Sequence, residues 1–228
     1  MNQRSLLKPI VVALTFVPLL VLIGAYLTDN LTINPIQTAM QRSGDIALMM
    51  LLASLACAPI NTLFHVPQVI GIRRPLGLMA FFYASLHLLI YTGWDYQFNF
   101  PQLRDSINDK PYLLVGIATI LLLVPLAVTS HDWWKKKLRK NWKRLHRLVY
   151  LAAGVAILHL AWAVKGNVAA LQGDIWKPLA AMITLLLFLL ARISPIRRAL
   201  VRLRGTITQA VHIERGSSPA PEKPSDLV

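Results

Sequence analysis

The chain has 228 residues, 55% hydrophobic and 15% charged, with 24 Lys and Arg against 10 Asp and Glu and a formal net charge of +14. A soluble domain carries roughly 45–50% apolar and about 25% charged residues, so an ordinary soluble enzyme, a disordered chain and an acidic tail protein are excluded. The basic excess could suggest nucleic acid, but the cations lie between apolar runs too long for a soluble core, which points to a membrane and not to nucleic acid.

Six apolar runs follow one another: Pro9–Leu27, Gly44–Phe64, Pro75–Tyr91, Pro111–Thr129, Leu145–Val164 and Pro178–Ile193. A spanning helix needs about 20 residues, and the third and sixth runs sit near the lower limit. The first run is too long for a typical signal-peptide core and lacks a small-x-small cleavage site, so it reads as a retained helix. With the N-terminus inside, 19 of the 24 basic residues fall on the cytoplasmic side and 5 outside, which places both termini in the cytoplasm. All six tryptophans, Trp94, Trp133, Trp134, Trp142, Trp162 and Trp176, lie near run ends, as in an interfacial belt. The expected fold is an all-α, polytopic six-helix membrane bundle over residues 9–204. A short cytoplasmic segment, 1–8, precedes it, and a polar, disordered cytoplasmic tail, 205–228, follows. No internal repeat stands out, and Thr92–Lys110 reads as the longest outer loop.

Cys57 is the one cysteine, so an intramolecular disulfide, a covalent c-type haem and cysteine-ligated clusters are excluded. The sequence has no G-x-G-x-x-G, Walker A or H-E-x-x-H motif. Pro18, Pro59 and Pro125 interrupt helical runs and predict kinks. Asp45 is expected to cap the second helix or face outer water, and Met49, Met50, Met79 and Met182 read as packing residues.

Ionisable groups at membrane depth need a reason. His131 and His212 read as solvated and His65 as an interfacial residue. His87 and His159 differ, because both sit among apolar residues on runs of the same direction. His87 is 14 residues past Arg73 and His159 is 13 past His146, so each lies about 20 Å outward of its marker. Two neutral imidazoles at one level can ligate a single iron from opposite sides, giving a six-coordinate b haem suited to electron transfer. The alternative is that each histidine simply hydrogen-bonds a neighbouring helix. His146 opens the fifth run within Lys143-Arg144-Leu145-His146-Arg147. A second haem there would need a partner histidine, and in an ideal helix His146 and His159 diverge by about 140°, so a distortion, for instance near Gly154, would be required. Arg73 and Arg74 stand where that partner would be wanted. Arginine is no iron ligand, but it could bind a haem propionate or a flavin phosphate. The basic stretch Lys135–Lys140 reads as a topology signal, with an acidic donor or FMN phosphate as alternatives.

The ordered stretches Arg73-Arg74-Pro75-Leu76-Gly77-Leu78, Ala84-Ser85-Leu86-His87-Leu88, Trp142–Leu151, His159 and Trp162-Ala163-Val164-Lys165 resemble the MsrQ (YedZ) family. This is a family of haem-binding membrane subunits of bacterial methionine sulfoxide reductase systems, within the ferric-reductase-like transmembrane group. The resemblance runs from about Gly44 to Lys165. It implies haem b with His87, His146 and His159 as ligand positions, and an FMN. It also implies electrons from a cytoplasmic flavin reductase or a membrane quinone, and a periplasmic molybdopterin-containing partner, MsrP, that performs the catalysis. The expected location is the bacterial inner membrane. One haem is expected, and a second only if His146 finds a partner, because a fourth histidine is lacking. The competing readings are a quinol-linked b-type cytochrome, a ferric-reductase-type metalloreductase and a non-redox transporter.

Overall fold

The computed structural model describes residues 3–28, 30–164 and 175–193, with side chains from residue 8 onward. The tail expected over 205–228, His212 and Lys165 lie outside these residues. Among the described residues the secondary structure is helical throughout, with no strand. The helices are α1 (Gln3–Leu27), α2 (Pro35–Phe64), α3 (Gln68–Leu89), α4 (Phe100–Asp109), α5 (Tyr112–Val128), α6 (Asp132–Leu138), α7 (Lys140–Leu145), α8 (Leu148–Ala163) and α9 (Trp176–Leu190).

Each of the six apolar runs is mostly helical, the fifth interrupted at His146 and Arg147 and the sixth leaving the helix after Leu190. Four stretches are long and apolar enough to cross a membrane: Lys8–Leu27, Pro35–Phe64, Gln68–Asp95 and Lys140–Ala163. A fifth arises if α4 and α5, bent by 111°, count as one broken span. The sixth run forms α9, whose 15 residues fall short of the usual crossing length.

The termini have local causes. Asn34 caps α2 by accepting from the Gln37 amide at 3.3 Å, ahead of Pro35 in the first turn. The helix thus starts well before the apolar run, so Asp45 is not a cap. Instead its carboxylate pairs with Lys177 of α9 at 2.8 Å. At the far end His65 stops α2 with a left-handed φ of 54°, and its amide bonds the Asn61 carbonyl. Pro18, Pro59 and Pro125 lie inside α1, α2 and α5. Of the methionines, Met79 is buried while Met49 and Met182 are exposed.

Helix α3 continues as a π-turn, Ile90–Asp95. Gln97 and Phe98 then both take positive φ, 48° and 56°. This left-handed pair is unusual without glycine and reverses the chain into α4, which Asn99 caps by accepting from the Gln102 amide. The segment Thr92–Lys110, expected as a loop, therefore holds a π-turn and a capped helix.

Helix α2 packs most extensively along α3, and α5 along α8. The two hairpins meet in a core of Leu51, Leu55, Ala80, Leu123, Leu126, Ala152, Ala153 and Ile157, closed by Ala181 and Leu185 of α9. The alanines at Ala80, Ala152 and Ala153 are essentially fully buried and let backbones approach closely. Large apolar side chains such as Leu20, Leu121, Leu151 and Leu187 point outward, as they do on a bundle solvated by lipid. Helix α1 is attached more sparsely. Its fixed point is the fully buried Tyr83, whose hydroxyl donates to the Thr15 carbonyl at 2.7 Å. Tyr83→Phe should loosen α1 and cost about 1 kcal/mol, read as a lower melting temperature in detergent with unchanged helical circular dichroism.

Candidate functional site

Helices α3 and α8 run in the same direction and end near His87 and His159, at the end of the bundle that carries α4. The two imidazole rings stand 6.2 Å apart between centroids, with their planes at 81°. Each is held from behind by the antiparallel partner of its own hairpin. His87 Nδ1 lies 2.8 Å from the Met40 carbonyl of α2, and His159 Nδ1 lies 2.8 Å from the Tyr112 carbonyl of α5. A carbonyl only accepts, so each Nδ1 carries the proton and each Nε2 keeps its lone pair for another partner.

The two hairpins repeat this geometry. In each, histidine and carbonyl are separated by 47 residues. In each, a glycine stands one helical turn after the carbonyl and against the ring. A Cβ on Gly44 would lie 3.0 Å from His87 Nδ1, and one on Gly116 would lie 2.9 Å from His159 Cε1. No internal repeat is evident in the sequence, yet the fold carries one, because a carbonyl and an absent side chain leave no sequence pattern.

The residues fit a porphyrin-bound iron. Two metal–nitrogen bonds of about 2 Å, plus the distance from nitrogen to ring centre on each side, put two axial imidazoles roughly 6 Å apart between centroids. Among the described residues no group of three or more His, Cys, Asp or Glu able to hold a metal occurs. A macrocycle supplying four nitrogens needs only the axial pair.

His146 is not brought to that pair. It occupies the turn between α7 and α8, where its ring stacks on Trp142 at 4.1 Å. Its Nε2 lies 3.1 Å from Thr129 Oγ1, and Trp142 Nε1 donates to the Thr129 carbonyl. The helix breaks at His146 and Arg147, while α8 runs unbroken through Gly154. In the first hairpin, Arg74 stands at the position His146 takes in the second, 13 residues before the terminal histidine. Arg74 is exposed and pairs with Asp132 at 3.0 Å. Arg73 is half-buried, its carbonyl accepts from Ser54 Oγ, and its charge is felt at His146 and Arg192. Of the other histidines, His131 caps α6 and His65 ends α2, both exposed.

The α4 end holds groups that the sequence does not single out. Tyr91, Tyr96, Ser106 and Lys110 gather beside the two histidines, drawn in by the π-turn and the α4 reversal. Their signal in the sequence is only a scatter of phenols and one lysine between two apolar runs.

A family model described as ferric reductase like transmembrane component matches residues 43–157. The protein-methionine-sulfoxide reductase heme-binding subunit MsrQ of Xanthomonas euvesicatoria pv. vesicatoria (strain 85-10) is 41% identical over 165 residues, covering 68% of this chain and 76% of its own length. The protein of the same name from Bordetella pertussis (strain Tohama I / ATCC BAA-589 / NCTC 13251) is 37% identical over 151 residues, 66% of this chain and 71% of its own. The apolar helices and the transmembrane family match together make this a multi-pass membrane protein.

The hydrogen bond and charge of Arg74 hold the Asp132 carboxyl below the ordinary carboxylate range. A depressed folded value means that the pair stabilises above the unfolded carboxylate pKa and is lost as pH falls through the folded one. Wild type should melt slightly above Asp132→Asn at pH 7. The gap should be small because the pair is exposed, and it should close as pH falls below about 4.

Proposed function

Because this chain belongs to the MsrQ family, we propose that it is the haem-binding membrane subunit of a methionine sulfoxide reductase system, holding haem b between His87 and His159. The observation that carries this reading is the pair of imidazoles at one level, each with Nδ1 committed to a carbonyl and Nε2 left as a donor of electrons to iron. When bound, such a haem supplies reversible one-electron redox chemistry with no open position for oxygen.

The chain's own groups do the rest. The Met40 and Tyr112 carbonyls fix each tautomer and raise the basicity of the ligating nitrogen. Gly44 and Gly116 make room for the rings. Leu51, Leu55, Leu123 and Ile157 keep water from the interior between the hairpins.

The topology we propose has six spans over residues 9–204, with 1–8 and 205–228 in the cytoplasm and the bundle in the bacterial inner membrane. The cluster of cations on the inner side supports this orientation. It places His87 and His159 near the periplasmic leaflet, facing a periplasmic molybdopterin-containing MsrP that reduces oxidised methionines. The donor is a cytoplasmic flavin reductase or a membrane quinone. Half-buried Arg73, in electrostatic reach of Arg192, suits the phosphate of an FMN or a haem propionate better than exposed Arg74, which already has Asp132. His146, with its ring on Trp142, is the residue for a second haem only if the turn at Arg147 rearranges.

Iron and flavin stoichiometry, read with reduced-minus-oxidised spectra, tests this on purified protein. Wild type should carry b-type bands, and His87→Ala and His159→Ala should lose them; full bands in both variants would refute the proposal. Loss of half the iron in His146→Ala would establish a second haem, and unchanged iron would exclude His146 as a ligand. Gly116→Ala should lower haem occupancy severalfold, since its Cβ would displace the His159 ring.

A further inference from the structure

A polar cluster at the α4 end takes no part in ligating the iron. Lys110 Nζ donates to Tyr96 Oη at 3.2 Å and sits 5.9 Å from the centre of that ring. Tyr96 Oη is also hydrogen-bonded to Ser106 Oγ, buried on α4. The Tyr91 and Tyr96 rings lie 4.8 Å apart, tilted by 51°. The Tyr91 hydroxyl is buried beside those of Tyr96 and Ser106 and makes no well-formed hydrogen bond among the described residues.

The cluster adjoins both histidines. Tyr91 follows His87 by one helical turn. Tyr112 follows Lys110 by two residues; its ring lies 6.0 Å from that of His159, and its carbonyl holds His159 Nδ1.

Two features call for an anion here. Lys110 is half-buried and has a phenol but no carboxylate as its contact. Asp95 acts on it only at longer range and forms no ion pair among the described residues. The other described cations at this end are otherwise disposed: Arg42 and Arg104 are exposed, and Lys177 reaches Asp45. The Tyr91 hydroxyl is the second feature, since a buried donor that makes no well-formed bond keeps much of its desolvation cost. The π-turn and the left-handed Gln97 and Phe98, conformations that persist where a site needs them, bring Tyr91 and Tyr96 together.

A b haem carries two carboxylate side chains, and carboxylates taken out of water need a cation and hydrogen-bond donors. We propose that Lys110, with the hydroxyls of Tyr96 and Tyr91, receives a carboxylate of the haem held by His87 and His159. The assignment rests on the haem-binding reading. On it, the α4 reversal closes the mouth of the site with a cation that the apolar helices cannot supply.

The test uses the full-length protein in detergent and compares wild type with Lys110→Gln, Lys110→Arg and Tyr91→Phe. All should keep low-spin b-type bands, because the axial ligands are untouched. Lys110→Gln should shift the propionate bending band in resonance Raman spectra and lower the midpoint potential. It should also release haem to apomyoglobin roughly tenfold faster, the loss of one charge-assisted hydrogen bond. Lys110→Arg should restore all three, and Tyr91→Phe should move the Raman band alone. Tyr91→Phe removes a single oxygen, so it carries the test if Lys110→Gln does not accumulate. Unchanged Raman bands and release rates in variants that retain haem would overturn the inference while leaving the haem reading intact. A wild-type protein without b-type bands would overturn both.

Discussion

Two hydrogen bonds of equal length, from the ring nitrogens of His87 and His159 to helix carbonyls, set the terms for the rest of this molecule. A histidine among apolar side chains is costly unless its polar atoms are used. Here one nitrogen is used by the backbone, and the commitment defines what the other can do. It fixes the tautomer, orients the ring and leaves an aprotic nitrogen directed away from the supporting helix. The helix pairs, the small residues behind the rings and the apolar packing between hairpins are conditions for keeping those bonds in place.

The glycines and alanines show how the packing serves this. An imidazole needs room that an ordinary helix neighbour would occupy, and Gly44 and Gly116 leave that room on the two supporting helices. Deeper in, Ala80, Ala152 and Ala153 are buried in the core where the two hairpins meet, and let the helices come close there. Association in lipid depends on such close fit, because lipid tails offer no hydrophobic drive between helices.

The helical class and the common level of His87 and His159 are legible in the sequence. Long apolar runs and a 1.5 Å rise per residue are sufficient for both. Span length is less legible: α2 begins after Asn34 because a cap and a proline, not hydropathy, start it. Asp45 resembles a cap for the same reason, since its partner Lys177 comes from a distant helix. The α4 helix is hidden because it is short, polar on one side and entered through two left-handed residues that no glycine announces. The carbonyls that hold the rings are invisible in principle, since every residue has one. His146 is ambiguous in sequence because its bearing relative to His159 follows only from an ideal helix, and the turn at Arg147 breaks that helix.

The doubling of carbonyl, glycine and histidine across the two hairpins bears on how the protein is assembled. Chain synthesis delivers the first hairpin to the bilayer well before the second, and on the proposed ligation each would bring only one nitrogen to the iron. Neither half would then grip a planar pigment by itself, and capture would wait until both are inserted and docked. Once seated, the pigment would act as a bolt through the seam, and unloading it would weaken the joint between halves more than either half internally.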